Sequence, residues 1–332
     1  MTAPNPTPLV IVNPKAGSSS RQRHDLDALR KVIEGALGKV DFALTNHPGH
    51  AIELAEASAR EHRATVVATG GDGSIHEVVN GLMRARDAGF ASTRLGIIGR
   101  GTGSDLCRTL GLGVAEGKGA HAETNRLDRF LAAIAGGRTD RIDVGRLRYT
   151  DHGGARREAF FVNILSAGMG GLVDQYVRST TQWLGGQAAY FVASTRALLD
   201  SQVGVLAATI EMNGETREEE LSTRQIAICN GRYFGSGMHV APMAKVDDGV
   251  FEVIDLGSAG RLKFAIDSSA IYKGEHLRNP DVRHFRCQKI TLDIRNERAR
   301  SRFLLDVDGE PLGVLPIEVE LVPSAIEVLI PA

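Results

Sequence analysis

Four short apolar runs, separated by segments with helical periodicity, constrain the first part of this chain more than any other feature. Leu9–Val12 is a buried-strand run that Pro14 stops, because proline has no N–H to give a ladder. Leu26, Leu29, Val32, Ile33 and Leu37 then recur at helical spacing. Phe42–Thr45 is a second strand and Ala51–His62 a second helix. Thr65–Ala68 is a third strand. After it, Ile75, Val78, Val79, Leu82 and Met83 form the stripe of an amphipathic helix. Leu95–Ile98 is the fourth strand. This alternation predicts a parallel sheet with helices on both faces, whose ligands bind where the strands end.

From about Arg146 the texture changes. Phe160–Leu165, Val205–Met212, Gln225–Cys229, Val250–Leu256, Ile290–Ile294, Phe303–Val307 and Ile317–Leu321 are short strand-like runs between Gly, Asn and Asp turns. One helical interlude, Gln187–Leu199, interrupts them. The expectation is an α/β domain over residues 1–145 and a mainly antiparallel β domain over 146–332. A composition of 42% hydrophobic and 24% charged residues suits two globular cores. The formal net charge of −1 gives no case for nucleic acid. No stretch approaches the roughly 18 apolar residues of a membrane span, and the start lacks a signal peptide's basic and apolar regions. Cys107, Cys229 and Cys287 are odd in number and far apart, which suits reduced thiols better than a disulfide framework or a zinc site. The expected location is cytoplasmic, with transient, peripheral membrane contact.

The ordinary nucleotide signatures are missing. Gly113–Gly119 is one spacer short of a Walker A loop and ends in glycine where Ser or Thr should hold magnesium. What stands out is Thr69-Gly70-Gly71-Asp72-Gly73-Ser74, between a strand and a helix. Three glycines in four positions let the backbone turn sharply and approach a ligand closely. The helix that follows presents its N–H groups and positive dipole end to that loop, which makes an anion site. A carboxylate at Asp72 repels phosphate unless a cation intervenes, so the acid implies Mg²⁺. A plain strand–turn–helix connection is the bland alternative, and it does not need three glycines. Ser74 and Glu77 also fit a capping box at the start of the helix. Gly99-Arg-Gly-Thr-Gly-Ser-Asp105 repeats the layout after the next strand, so the two loops can face each other across one cleft.

Together these residues resemble the catalytic domain shared by diacylglycerol kinases, sphingosine and ceramide kinases and bacterial lipid kinases. Val12-Asn13-Pro14-Lys15-Ala16-Gly17 is similar to that family's opening motif, Gly70–Ser74 to its G-G-D-G-T/S, and Gly101–Asp105 to its G-T-x-N-D. Asp308-Gly309-Glu310 resembles the late D-G-E that completes the active site, and Asp247-Asp248-Gly249 a segment holding a structural Mg²⁺ in bacterial members. The motifs run in order over nearly the whole chain. The resemblance implies an NAD kinase/diacylglycerol kinase-like α/β domain followed by a β-sandwich that handles the lipid and supplies the catalytic base. It implies ATP- and Mg²⁺-dependent phosphorylation of a lipid hydroxyl at a membrane surface. Asn13, Thr45, the loop of Gly70, Gly71, Asp72, Gly73, Ser74, Ile75 and His76, and also Thr102 and Asp105 would serve ATP. Asp72, Asp105 and Asp143 would organise Mg²⁺ and its waters, Asp308 would be the base, and Glu310 would complete the site. Lys245, Asp248 and Val250 would hold the structural Mg²⁺. Two positions depart from the family: proline is usual near Gly99-Arg100, and asparagine where Ser104 stands.

The residues themselves leave several alternatives open. Strand alternation through Asp306-Val307-Asp308 puts both acids on one face, with Gly309 allowing close approach to Asp308; a turn aspartate is the other reading. Asp143 suits either a metal network or a salt bridge with a neighbouring arginine, and Asp247 and Asp248 also suit an exposed turn. The segment Gly168–Leu199 carries Leu172, Val173, Tyr176, Val177, Trp183, Tyr190 and Phe191 with Arg178 and Arg196. It fits the wall of an acyl pocket or domain core. The acceptor is open among diacylglycerol, a sphingoid base, ceramide and phosphatidylglycerol, and a homodimer is compatible with the sequence. The competing functions are an NAD kinase-like small-molecule kinase, against which the late D-G-E counts, and a catalytically silent lipid- or nucleotide-binding relative. The latter predicts loss of a key acid, yet Asp72, Asp105 and Asp308 are all present.

Overall fold

The structure, a computed structural model, describes residues 5–14, 22–101, 104–112, 120–180, 192–193, 196–261, 263–264 and 270–331. The chain forms two compact units, Met1–Asp143 with Pro323–Ala332, and Val144–Val322.

In the first unit the order is β1 (Leu9–Val12), α1 (Gln22–Leu37), β2 (Asp41–Leu44), α2 (His50–Arg60), β3 (Thr65–Gly70), α3 (Asp72–Asp87), β4 (Arg94–Gly99), α4 (Asp105–Thr109) and α5 (Ala120–Gly136). The strands lie side by side as β2-β1-β3-β4, all parallel, with Val10 opposite both Phe42 and Val67. Every residue of β1 and β3 is buried, which is why these runs are mostly apolar and carry no charge instead of alternating. The chain adds β2 on one side of β1 and β3 on the other. The order therefore reverses at β1, and the carboxyl ends of β1 and β3 flank the crevice where ligands of such sheets bind. Helix α2 packs against α3, and α1 against α5. Gly81 sets the first contact: a Cβ there would lie 2.4 Å from the Ile52 carbonyl oxygen.

The start of α3 corrects one expectation. Strand β3 runs through Gly70, so Gly71 alone separates it from the helix, and Ser74 is already the third helical residue. No capping box forms there. The Glu77 carboxylate instead accepts the N–H groups of Gly49 (2.9 Å) and Ala51 (3.1 Å) at the start of α2. Gly49 has no side chain to cap with, and the neighbouring helix supplies the carboxylate.

The second unit contains most of β5 (Thr139–Asp151), then β6 (Arg156–Phe161), β7 (Ile164–Gly168), α6 (Met169–Thr180), β8 (Gly204–Met212), β9 (Glu215–Thr223), β10 (Gln225–Cys229), β11 (Phe251–Asp255), β12 (Arg283–Cys287), β13 (Lys289–Ile294), the single turn α7 (Glu297–Arg300), β14 (Leu304–Val307) and the first part of β15 (Gly313–Leu329). Strands β12-β11-β10-β7-β14 form one antiparallel layer and β9-β8-β13-β15-β5-β6 follow one another in the second, with β14 also pairing β15 where the layers join. Their inner faces make a β-sandwich around Phe161, Leu165, Ile226, Phe251, Leu292 and Val319, with the Phe161 and Phe251 rings stacked at 5.5 Å.

The run expected as one strand over Phe160–Leu165 is two, broken at Val162-Asn163. β9 escaped the sequence reading because its residues are mostly charged and exposed, yet it pairs with β8 over nine residues. β15 continues past the expected Ile317–Leu321, and its last residues belong to the first unit, where Val328 pairs parallel with Leu95 of β4. Leu172, Val173 and Tyr176 of α6 are buried against Ala193, Ala197 and Leu304, so this part of the Gly168–Leu199 segment is core. Trp183, Tyr190 and Phe191 lie outside the described residues. Among the described residues no helix is long and apolar enough to cross a membrane.

Candidate active site

The parallel order of the first unit brings the expected nucleotide residues into a row at the strand ends. Thr45 follows β2 and donates its N–H to the Val12 carbonyl at 2.9 Å; Asn13 follows β1 and donates to Thr69 at 3.2 Å. Arg100, after β4, donates its N–H to Gly70 at 2.7 Å, tying the second glycine loop to the first. The two loops touch backbone to backbone: a Cβ on Gly101 would stand 2.6 Å from the Gly71 Cα. That approach is the physical reason for glycine at both positions. Gly101→Ala is therefore expected to destabilise the first unit by about 1–3 kcal/mol, as overpacking does. A thermal melt reads this directly, and an unchanged midpoint would mean the loops are free to part. Thr102 and Gly103 lie outside the described residues.

Two acids sit at the helix starts behind these loops. Asp72 opens α3 and is half-buried; Asp105 opens α4, is buried, and accepts a 2.9 Å bond from Arg108. Both act on one probe, the buried Cys107 thiol. Burial first, then the charge of Asp72, pushes that thiol up to about 12, with Asp105 adding and Arg126 opposing. Two carboxylates and one guanidinium are thus near enough to act electrostatically on a single sulfur. Arg126, on α5, also donates to the Ser104 hydroxyl, which in turn donates to the Gly101 carbonyl at 3.1 Å. Ser104 itself is held in the left-handed region (φ 51°). Sequence reasoning missed Arg126. Its one signal was its place four residues before the buried Phe130, on the inward stripe of α5.

Asp72 and Asp105 are hard oxygen donors, and Mg²⁺ is ordinarily held by one or two carboxylates together with substrate phosphates. The pair therefore fits the implied ion. Ser74 and Ile75 both direct their N–H groups to the Gly71 carbonyl, the Ile75 side chain lies in the core, and the buried His76 ring meets the Asn80 amide at 3.3 Å. The last two residues of the expected Gly70–His76 loop thus turn inward. Asp143 is buried and accepts the Ser324 N–H at 2.7 Å, while Arg141 reaches Glu327.

Asp308 belongs to the second unit. β14 ends at Val307, and Asp308 adopts a left-handed conformation (φ 52°) with Gly309 following at 86°. Strand alternation stops before Asp308, which corrects the expectation that it places Asp306 and Asp308 on one face. The Asp308 carboxylate is buried and accepts three backbone N–H groups at 3.0 Å each: Val162 on one oxygen, Asn163 and Ile164 on the other. It fills the break between β6 and β7. Half-buried Asp306 accepts the Gly309 N–H at 2.9 Å, and the Glu310 backbone pairs with Val307.

Lys245, Asp248 and Val250 lie in a turn-rich segment before β11. Asp247 and Asp248 are exposed there. The Arg286 guanidinium is held above its ordinary range chiefly by Glu252, with Asp248 adding. The resemblance implies the backbone carbonyls of Lys245 and Val250 with the Asp248 carboxylate, which is the donor type a hard divalent ion takes.

A parallel α/β unit with paired glycine loops, followed by a mostly antiparallel β-sandwich, is the NAD kinase-like architecture of diacylglycerol kinases. Two family models match the chain: "Diacylglycerol kinase catalytic domain" over residues 7–147, and "YegS C-terminal NAD kinase beta sandwich-like domain" over residues 163–330. The chain belongs to the diacylglycerol kinase catalytic-domain family, a family of kinases. It is 25% identical to the diacylglycerol kinase of Bacillus subtilis (strain 168) over 324 residues, covering 97% of this chain and 95% of that protein. It is also 25% identical to the diacylglycerol kinase of Staphylococcus aureus (strain MRSA252) over 307 residues, with 92% and 87% covered. A solved structure of a diacylglycerol kinase from Bacillus anthracis str. Sterne shares the fold, with a TM-score of 0.65, 20% identity and coverage of 98% and 96%.

Proposed function

We propose that the chain is an ATP- and Mg²⁺-dependent lipid kinase that transfers the γ-phosphate of ATP to a lipid hydroxyl at a membrane surface. The observation that carries this reading is the backbone contact of Gly71 and Gly101, with Asp72 and Asp105 at the helix starts beside it. Phosphoryl transfer is mostly positioning and charge neutralisation. The glycine loops let backbone amides approach the phosphates, and the first turn of α3 aims its dipole at them. Asn13, Thr45, the loop after β3 and Thr102 line the nucleotide. Asp72 and Asp105 hold Mg²⁺, with Asp143 supporting; when bound, the ion neutralises phosphate charge. Arg126 contributes a further positive charge beside the two acids.

Asp308 accepts the proton of the lipid hydroxyl, its carboxylate oriented by the three amides of 162–164, and Glu310 completes that end. Lys245, Asp248 and Val250 hold a structural Mg²⁺. The first unit is then the nucleotide domain and the second the lipid domain. The protein resides in the cytoplasm, visits membranes reversibly, and needs no nucleic acid. Among acceptors, the names of its relatives favour diacylglycerol over sphingoid base, ceramide or phosphatidylglycerol. A radiolabelled-ATP assay against these lipids in mixed micelles, with NAD⁺ as a further acceptor, tests the reading. Label in a lipid is expected. Label in NAD⁺ would favour the small-molecule kinase, and ATP binding without any product would favour the silent relative.

A further inference from the structure

We propose that His47, His50 and Glu53 form a surface site for a borderline divalent transition ion such as Zn²⁺. It is distinct from the acids assigned to Mg²⁺ and independent of the kinase reading. Among the described residues this is the one group of three His, Cys, Asp or Glu side chains whose ligand atoms converge, all within 4.8 Å of one another. The local sequence explains the convergence. His50 opens α2 and Glu53 lies three residues on, so both project from one face. His47 precedes the helix and stacks on His50, ring centroids 4.7 Å apart. The Cys107, Cys229 and Cys287 thiols are buried elsewhere and do not compete.

Hydrogen bonding has already prepared one ligand. His47 Nδ1 lies 3.0 Å from the Pro48 carbonyl oxygen. A carbonyl only accepts, so Nδ1 carries a proton, and in the neutral ring Nε2 is then the nitrogen with the free lone pair. An N–H to a backbone carbonyl is also the support that metal-ligating histidines ordinarily have. Nε2 stands 3.9 Å from Glu53 Oε2. Donors around a tetrahedral ion with bonds of about 2.0–2.1 Å sit about 3.4 Å apart, so a small side-chain rotation closes the site. His50 Nδ1 receives the Asn46 N–H over 3.3 Å, a long bond that an ion held on that nitrogen would displace.

Two imidazoles and one carboxylate suit Zn²⁺, and also Cu²⁺ or Ni²⁺, whereas Mg²⁺ prefers oxygen ligands throughout. The positive end of α2 would oppose a cation, but the Glu77 carboxylate bound to Gly49 and Ala51 offsets it. With the His47 side chain 50% and the Glu53 side chain 67% exposed, the ion can enter directly from solvent and keep a water ligand.

The test is titration calorimetry of the tag-free chain with Zn²⁺, under Mg²⁺ sufficient to fill oxygen-ligand sites. One ion per chain is expected. His47→Ala and His50→Ala should each weaken it roughly tenfold or more, a lower bound set by what losing even a supporting partner costs. His152→Ala, an exposed histidine of the second unit, should leave it unchanged. Stoichiometric binding that survives the His47→Ala/His50→Ala double variant would overturn the proposal, as would the absence of binding by the folded chain.

Discussion

Asp72→Asn is expected to lower phosphotransfer by about 10²–10³-fold or more, the scale on which losing one preorganised electrostatic group acts. The substitution keeps the side-chain shape at the start of α3 and removes only the charge. Its effect on folding should be small, because an acid in a first turn contributes about 0.3–1 kcal/mol through the helix dipole. A second consequence checks the placement itself. Asp72 follows burial as the largest influence raising the Cys107 thiol, so its neutralisation should bring that thiol down from about 12. The thiol would remain protonated at neutral pH, because burial persists. Turnover as a function of Mg²⁺, a thermal melt, and the pH dependence of Cys107 alkylation separate these effects. Wild-type turnover at ordinary Mg²⁺ would remove Asp72 from the site.

Asp308→Asn should do two things at once. An asparagine offers one carbonyl oxygen where the carboxylate offers two, and its amide would face a backbone N–H among Val162, Asn163 and Ile164, donor against donor. At least one buried N–H then loses its acceptor, which costs about 1–3 kcal/mol. The second unit should melt several degrees lower. If Asp308 is also the base, kcat falls by roughly 10²–10⁴-fold, measured well below the new midpoint, while ATP affinity changes little. Asp306→Asn is the control, since an asparagine oxygen there can still accept the Gly309 N–H. Activity that falls only as far as the folded fraction does would make Asp308 a strut of the β6–β7 break. A dead Asp306→Asn beside an active Asp308→Asn would move the catalytic acid by two residues.

The inner strands of the first unit were legible in the sequence because β1 and β3 are short runs buried along their whole length, and the helix behind Gly70-Gly71-Asp72 because its stripe repeats with the helical period. The glycines announced a tight loop for a local reason, their freedom from a Cβ. What they were excluding, each other's backbone, became visible only where Gly71 and Gly101 meet. Glu77 looked like the cap of its own helix, since the sequence pattern offered no other partner; it caps the neighbouring one, through residues 28 and 26 positions away. Arg126 carried no motif, and β9 presented too many charges to resemble a strand.

The character of Asp308 was decided by three amides about 145 residues earlier, and the return of β15 to the first unit by contacts such as Ser324 with Asp143, 181 residues apart. Periodicity and glycine content express forces between near neighbours along the chain, so the elements with a clear period, the glycine loops and the acids beside them could be read from residue order alone. Which donor a carboxylate meets depends on groups that only chain closure brings within 3 Å. That choice belonged to the tertiary structure.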